Sequence, residues 1–352
     1  MRFLYKSGNL LISVLFLHIL FTPARAQEVK RSDRYVDAYK KYLDAKCPIP
    51  KDSIRHFVYF ARDRESIKDH SLLKHPRFKG AQIMYSWRQL EPEKGKYDFS
   101  ILQEDYEYLK KFKKKLFVQL QDVTFSSKRK AVPDYILTAE YDGGAVEQYN
   151  NDGSPGGWVA KRWNKKVRER FAQLMLALGK AFDGKIEGIT LQETAIEVKD
   201  TGFSDLDYVT GVKENMLALK QAFPKSVTMI YANFMPGEWL PGNDKGYLRG
   251  IYQYGEQIGV GLGGPDLMVK RKGQLNHLIA MMHESHYIVP LGIAVEDGNY
   301  IGETGDATED KTKPHENIVP LLHAFAKDFL KVKYMFWSNQ EPYFKEDVLS
   351  CF

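Results

Sequence analysis

Apolar runs rich in Val, Ile, Tyr and Phe recur along this chain, and stretches with helical spacing fall between most of them. The strand candidates are "HFVYFA" (56–61), "AQIMYSW" (81–87), "KLFVQLQD" (115–122), "IEGITLQE" (186–193), "SVTMIYAN" (226–233), "IGVGLGG" (258–264), "VPLGIAVED" (289–297) and "YMFWSN" (334–339). Helical patterns cover 165–182, 205–222, 273–284 and 315–330, and no Pro/Ser-rich linker, internal repeat or low-complexity tract interrupts the series. Continuous apolar runs belong to strands covered on both faces. Eight of them alternating with helices predict an α/β fold, a single (β/α)8 TIM barrel. A doubly wound open sheet is the competing architecture. One connection stands out: residues 123–164 contain "YDGGAVEQYNNDGSPGGWVAKRW". A connection of that length in a compact domain is usually functional or disordered. It follows the third strand, so it projects from the face where barrel enzymes keep their active sites.

The first 26 residues read differently. Arg2 and Lys6 precede the apolar stretch "LLISVLFLHILF", and "ARA" (24–26) is a small-x-small site before Gln27. This is the pattern of a cleavable signal peptide, so the expectation is a secreted or periplasmic protein whose barrel occupies 27–352. The run is too short to span a bilayer and no second one follows, so no membrane span is expected after processing. Loss of Arg2, Lys6 and Arg25, with no acid in the same segment, lowers the formal charge from +6 to +3. So weak a charge argues against a nucleic-acid partner. The run "KKFKKK" (110–115) reads as a helix end, where cations complement the dipole. The two cysteines, Cys47 and Cys351, lie near the two ends of the mature chain. In an oxidising compartment they can pair, though two free thiols fit the sequence as well.

Two apolar strands end on carboxylates. "GITLQETAIE" (188–197) places Gln192 and Glu193 where the fourth run stops, and "GIAVEDGNY" places Glu296 and Asp297 where the seventh stops. Strands four and seven of an eight-stranded barrel face each other across its mouth. Two glutamates there can flank one bond of a substrate, the arrangement that glycoside hydrolysis needs. Either glutamate alone would as readily cap a helix or pair with an Arg.

The stretch "WRQLEPEKGKYDFS" (87–100) resembles the segment after strand two in clan A glycoside hydrolases, with its Trp, Glu-Pro pair and Gly-x-Tyr-Asp. The resemblance runs from strand two to strand eight. It implies a retaining (β/α)8 enzyme, acting on β-linked poly- or oligosaccharides by double displacement and without a cofactor or metal. Glu193 matches the acid/base, Glu296 the nucleophile and Trp337 the aromatic platform under a sugar. Two positions depart from the pattern: Gln192 stands where the family has Asn, and Asp266, in "GLGGPD", stands where a tyrosine is common after strand six.

Among the other tryptophans, Trp158 and Trp239 are candidate stacking surfaces, because pyranose C–H faces are apolar, while Trp87 reads as packing. Asp122, Tyr231 and Asn233, at strand ends, are candidates to hydrogen-bond sugar hydroxyls. Other motifs carry less. Gly259, Gly261 and Gly264 satisfy G-x-G-x-x-G but lie inside an apolar run followed by Pro265. His283 and His286 are three apart, not the four of a zinc helix. The acidic residues Asp306, Glu309 and Asp310 lack EF-hand spacing. Two rivals stand beside the glycosidase: a carbohydrate-binding barrel without turnover, and a metal-dependent deacetylase, which the scattered histidines do not support.

Overall fold

The computed structural model describes residues 33–150, 152–199, 202, 204–284, 287–296, 299–301 and 316–352. The expected signal peptide, His286, Asp297, Gly298 and the acidic residues Asp306, Glu309 and Asp310 lie outside the described residues. All eight expected strands form: β1 (Arg55–Tyr59), β2 (Phe78–Ser86), β3 (Lys115–Gln121), β4 (Gly188–Leu191), β5 (Val227–Tyr231), β6 (Gly261–Gly264), β7 (Leu291–Val295) and β8 (Tyr334–Ser338). Each pairs in parallel with its neighbours in sequence. The pairing of β1 with β8 then closes the barrel and excludes the open sheet.

The strands read as unbroken apolar runs because both faces are covered. Phe57, Tyr59, Met84, Phe117, Met229, Tyr231, Ala294, Tyr334 and Phe336 form one cluster, which fills the barrel interior. The alternate residues, such as Val58, Ile83, Val118, Ile230, Ile293 and Trp337, pack outward beneath the helices. The glycines of β6 belong to this packing. A β-carbon on Gly263 would overlap the carbonyl of Gly292 on β7, and one on Gly264 would press into Leu278. "GVGLGG" therefore permits close strand contact and is no phosphate loop.

Helices Lys165–Phe182 and Asp205–Ala222 have the expected bounds. Asn164 caps the first through the Val167 N–H, and a Ser204–Asp207 capping box starts the second, each cap contributing about 1 kcal/mol. The single helix expected over 273–284 is broken at His277, whose ring bonds the Leu240 carbonyl, into Lys272–Asn276 and Leu278–Glu284. The stretch expected over 315–330 is Val319–Ala324 followed by a wide π turn at Phe325–Phe329. Cys47 and Cys351 are joined by a disulfide across 304 residues of sequence. Among the described residues, no helix is long and apolar enough to cross a membrane.

The 123–164 connection is an ordered excursion. Val123–Thr124, Pro155–Ala160 and Ala145–Tyr149 make a three-stranded antiparallel sheet. Its edge is tied to the segment after β4 by the Tyr149 N–H on the Glu197 carbonyl, at 2.9 Å. It stands over the C-terminal ends of the barrel strands and walls the mouth.

Candidate active site

The end of β4 is held from three sides. Asp122, just past β3, makes a bidentate pair with Arg162, at 2.8 and 2.6 Å, and both side chains are buried. Arg162 also donates to the Glu193 carbonyl at 2.9 Å and to the Tyr208 hydroxyl at 2.7 Å. Tyr208 in turn donates to the Thr194 carbonyl at 3.0 Å. Asn233, just past β5, donates to Glu193 Oε2 at 2.6 Å. Its own Oδ1 accepts the N–H groups of Ala195 and Phe234, which fixes the amide orientation.

The Glu193 carboxyl is half-buried in this cradle. Burial, and then the negative charge of Asp266, push it up to about 8; the Asn233 hydrogen bond and the Arg162 charge act the other way. Burial outweighs the rest because it removes water from the charged form while the one cation faces the backbone carbonyl. A carboxyl that keeps its proton near neutrality can give it to a leaving oxygen. Asp266 is itself raised by burial, against the Asn299 hydrogen bond and the Arg271 charge.

Glu296, at the end of β7, is also half-buried. Asn299 organises this corner: its Oδ1 accepts the N–H groups of Glu296 and Leu267, and its Nδ2 donates to Asp266 at 3.0 Å. The negative charge of Glu296 acts on Tyr231, whose phenol, pushed up mainly by burial, lies in the barrel interior and bonds Gln82. A tyrosine in the field of the strand-seven glutamate is thus supplied by β5, while the position after β6 carries Asp266.

The sequence candidates sort accordingly. Asn233 bonds Glu193, the Asp266 charge acts on Glu193, and Asn299 links Asp266 to the Glu296 backbone. Gln192 is buried beside Met84, with its Nε2 3.9 Å from that sulfur. Trp239 stacks on Phe234 and lines a cavity of about 440 Å³ with Phe125 and Tyr149. Trp158 lines a second, of about 590 Å³, on the β1–β3 side. Both volumes fall in the range of ligand sites.

Three candidates lie away from any substrate. Trp337 is 0% exposed on the outward face of β8 and donates its indole N–H to His56, so it is no sugar platform. Asp122 spends both carboxylate oxygens on Arg162 and reaches no hydroxyl. Tyr231 is 0% exposed, below the mouth rather than in it. Within the 87–100 motif, Trp87 donates to Glu91 at 2.8 Å; Glu91 in turn takes the Gly95 N–H and pairs with Arg170. That motif fastens the β2 connection to helix Lys165–Phe182, and of its residues Arg88 and Gln89 line the cavity on the β1–β3 side. The sequence does not single out Arg162 or Asn299. Arg162 closes a long polar excursion and Asn299 follows a strand-end acid pair, and neither spacing reveals its partner.

Asp52, His56 and His323 are, among the described residues, the group that could hold a metal, with donor atoms within 4.8 Å of one another. They sit at the start of β1, the end of the barrel opposite the mouth. Trp337 donates to His56 Nδ1, so the ring proton is on Nε2, facing Asp52. Burial acts to raise the Asp52 carboxyl, yet hydrogen bonds from His56 and His323 hold it well below its usual range. With the Arg77 guanidinium 3.6 Å away as well, the chemistry is that of a structural ion cluster.

No protein-family model matches this sequence, and no curated protein does. Solved structures share its fold. Endo-glycoceramidase II from Rhodococcus sp., in complex with a cellobiose-like imidazole, superposes with a TM-score of 0.51 at 13% identity, over 84% of this chain and 76% of that one. A GH10 structure from Paenibacillus barcinonensis gives 0.46 at 14% identity, over 81% and 84%. A family 39 glycoside hydrolase from the gut symbiont Bacteroides cellulosilyticus WH2 gives 0.49 at 10% identity, over 82% and 58%. At these identities the likeness is one of fold alone, that of a closed (β/α)8 barrel.

Proposed function

We propose that this protein is a retaining glycoside hydrolase acting on β-linked poly- or oligosaccharides. The observation that carries the proposal is Glu193: a half-buried carboxyl at the end of β4, raised to about 8 and held by Asn233; Glu296, at the end of β7, is its proposed partner. In the first step a Glu296 oxygen attacks the anomeric carbon, the glycosidic C–O bond breaks and the leaving oxygen takes the Glu193 proton. In the second, water gives a proton to the Glu193 carboxylate and its oxygen displaces Glu296, which leaves as carboxylate. Gln192 Oε1, buried and with no hydrogen-bond partner among the described residues, is an acceptor beside the acid for a sugar hydroxyl. The proposal places the protein outside the cytoplasm, which the Cys47–Cys351 disulfide and residues 1–26 support.

The test is hydrolysis of a panel of β-linked polysaccharides, with the anomer first released read by NMR. The expected result is a β product from the wild type and none from Glu193→Gln. An α product would exclude retention, and unchanged turnover in the variant would exclude Glu193.

The pH profile gives a separate check. Because Glu193 acts protonated, kcat/KM falls as pH rises through about 8. Asp266→Asn removes the like charge, lowers the Glu193 pKa and moves that limb to lower pH. A limb that stays in place would mean that Asp266 does not set it.

A further inference from the structure

The mouth also holds a concentration of positive charge. Arg62, Arg88, Lys128, Arg129, Lys130 and Trp158 line the cavity of about 590 Å³, and among the described residues no carboxylate lines it with them. Arg88 is already neutralised by a bidentate pair with Asp134, at 2.9 and 2.6 Å, and the Lys130 charge also acts on that carboxyl. Among the described residues, no carboxylate pairs with Arg62, Lys128 or Arg129. Burial, and then the neighbouring Arg129 charge, push the Arg62 pKa down, so two guanidiniums repel each other across one cavity. An anion between them relieves that repulsion.

Three cations in sequence on a surface loop are ordinarily a solvated run, but this loop is fixed from several sides. Thr124 Oγ1 donates to the Arg129 carbonyl at 2.8 Å, and Trp158 Nε1 to the Ser127 carbonyl at 3.0 Å. Arg88 donates its backbone N–H to the Ala131 carbonyl at 2.7 Å. The Lys130 ammonium sits 3.8 Å from the centre of the Trp158 ring. Such a loop loses little further freedom when a ligand binds. Arg62 and Gln192, the residue before Glu193, reach a common atom: Arg62 Nη1 lies 3.4 Å from Met84 Sδ, and Gln192 Nε2 lies 3.9 Å from the same sulfur.

We infer that the glycan taken by this mouth is anionic, with a carboxylate or sulfate ester on a sugar near the scissile bond seated between Arg62 and the 128–130 loop. The planar guanidinium fork matches either oxyanion. The inference rests on the glycosidase proposal only for where the scissile bond lies.

The experiment is calorimetric titration of the full-length protein with soluble β-linked oligosaccharides in matched sets, each backbone taken neutral, carboxylated at C6 and sulfated. In at least one set the charged member should bind about tenfold or more tightly than the neutral one, as expected for one or two charge-assisted contacts. That advantage should shrink as salt is added. Whether the carboxylated or the sulfated member gains tells which oxyanion is recognised. Arg62→Gln with Arg129→Gln should abolish the advantage. Lys110→Gln with Lys111→Gln, the same charge change at the far end of helix Ser100–Lys111, should leave it intact. Neutral members binding as tightly as charged ones in every set, or equal losses in the two double variants, would overturn the inference. Because the comparison within a set uses wild-type protein, it stands even if a variant fails to fold. Glu193-dependent cleavage confined to neutral glycans would overturn this inference and leave the glycosidase standing. Charge-dependent binding with no product from any glycan would do the reverse.

Discussion

Glu296→Gly should lower kcat by about 10⁴-fold or more, the scale seen when a group that acts covalently is removed. The variant keeps the Glu193 acid, so a substrate with an activated leaving group can still be protonated; what is missing is the attacking oxygen. Azide, small enough to enter the space left by the side chain, should restore part of the rate and appear as a glycosyl azide of inverted configuration. Mass spectrometry and NMR of the product read this directly. Full activity without azide would exclude Glu296 as the nucleophile and point to Asp266, whose carboxylate Asn299 holds beside the Glu296 backbone.

Arg162→Met should cost about 3–5 kcal/mol of stability, because it leaves the buried Asp122 carboxylate without its partner. The Glu193 carbonyl and the Tyr208 hydroxyl lose a donor in the same variant. Denaturant unfolding measures the first effect. The alkaline limb of kcat/KM measures another: Arg162 holds the Glu193 pKa down, so its loss should move the limb up, opposite to Asp266→Asn. Adding Asp122→Leu should recover much of the stability, since replacing a buried pair with apolar groups is far less costly than breaking it. A single Arg162→Met variant as stable as the wild type would show that the pair does not anchor β4.

The contrast between Glu193 and Trp337 shows where sequence reasoning reaches and where it stops. Strand count and resemblance point to both as site residues. Glu193 lies past the last residue of β4, where the chain leaves the ladder and the apolar pattern ends on a carboxylate. Trp337 lies within β8, whose five residues are all buried. When both faces of a strand are apolar, alternation does not show which residues point inward, and a one-residue difference in parity separates a mouth residue from one packed under helices. Asp122 failed for a related reason. Its partner Arg162 is 40 residues away, and nothing local marks a buried ion pair closed by the return of a long excursion.

The sequence by itself determined the eight strands, their order and the bounds of the helices at 165–182 and 205–222, because hydrophobic period and capping are local properties of the chain. It also placed two carboxylates at strands that face each other, since strand order in a parallel barrel follows chain order. Only the tertiary structure decided which groups surround those carboxylates. Asp266 presses on Glu193, Tyr231 lies under Glu296, Arg162 holds the β4 end and the 128–130 loop brings cations to the same mouth. These are pairings over long sequence separations, and electrostatic energy depends on distance and burial, which appear when the barrel closes.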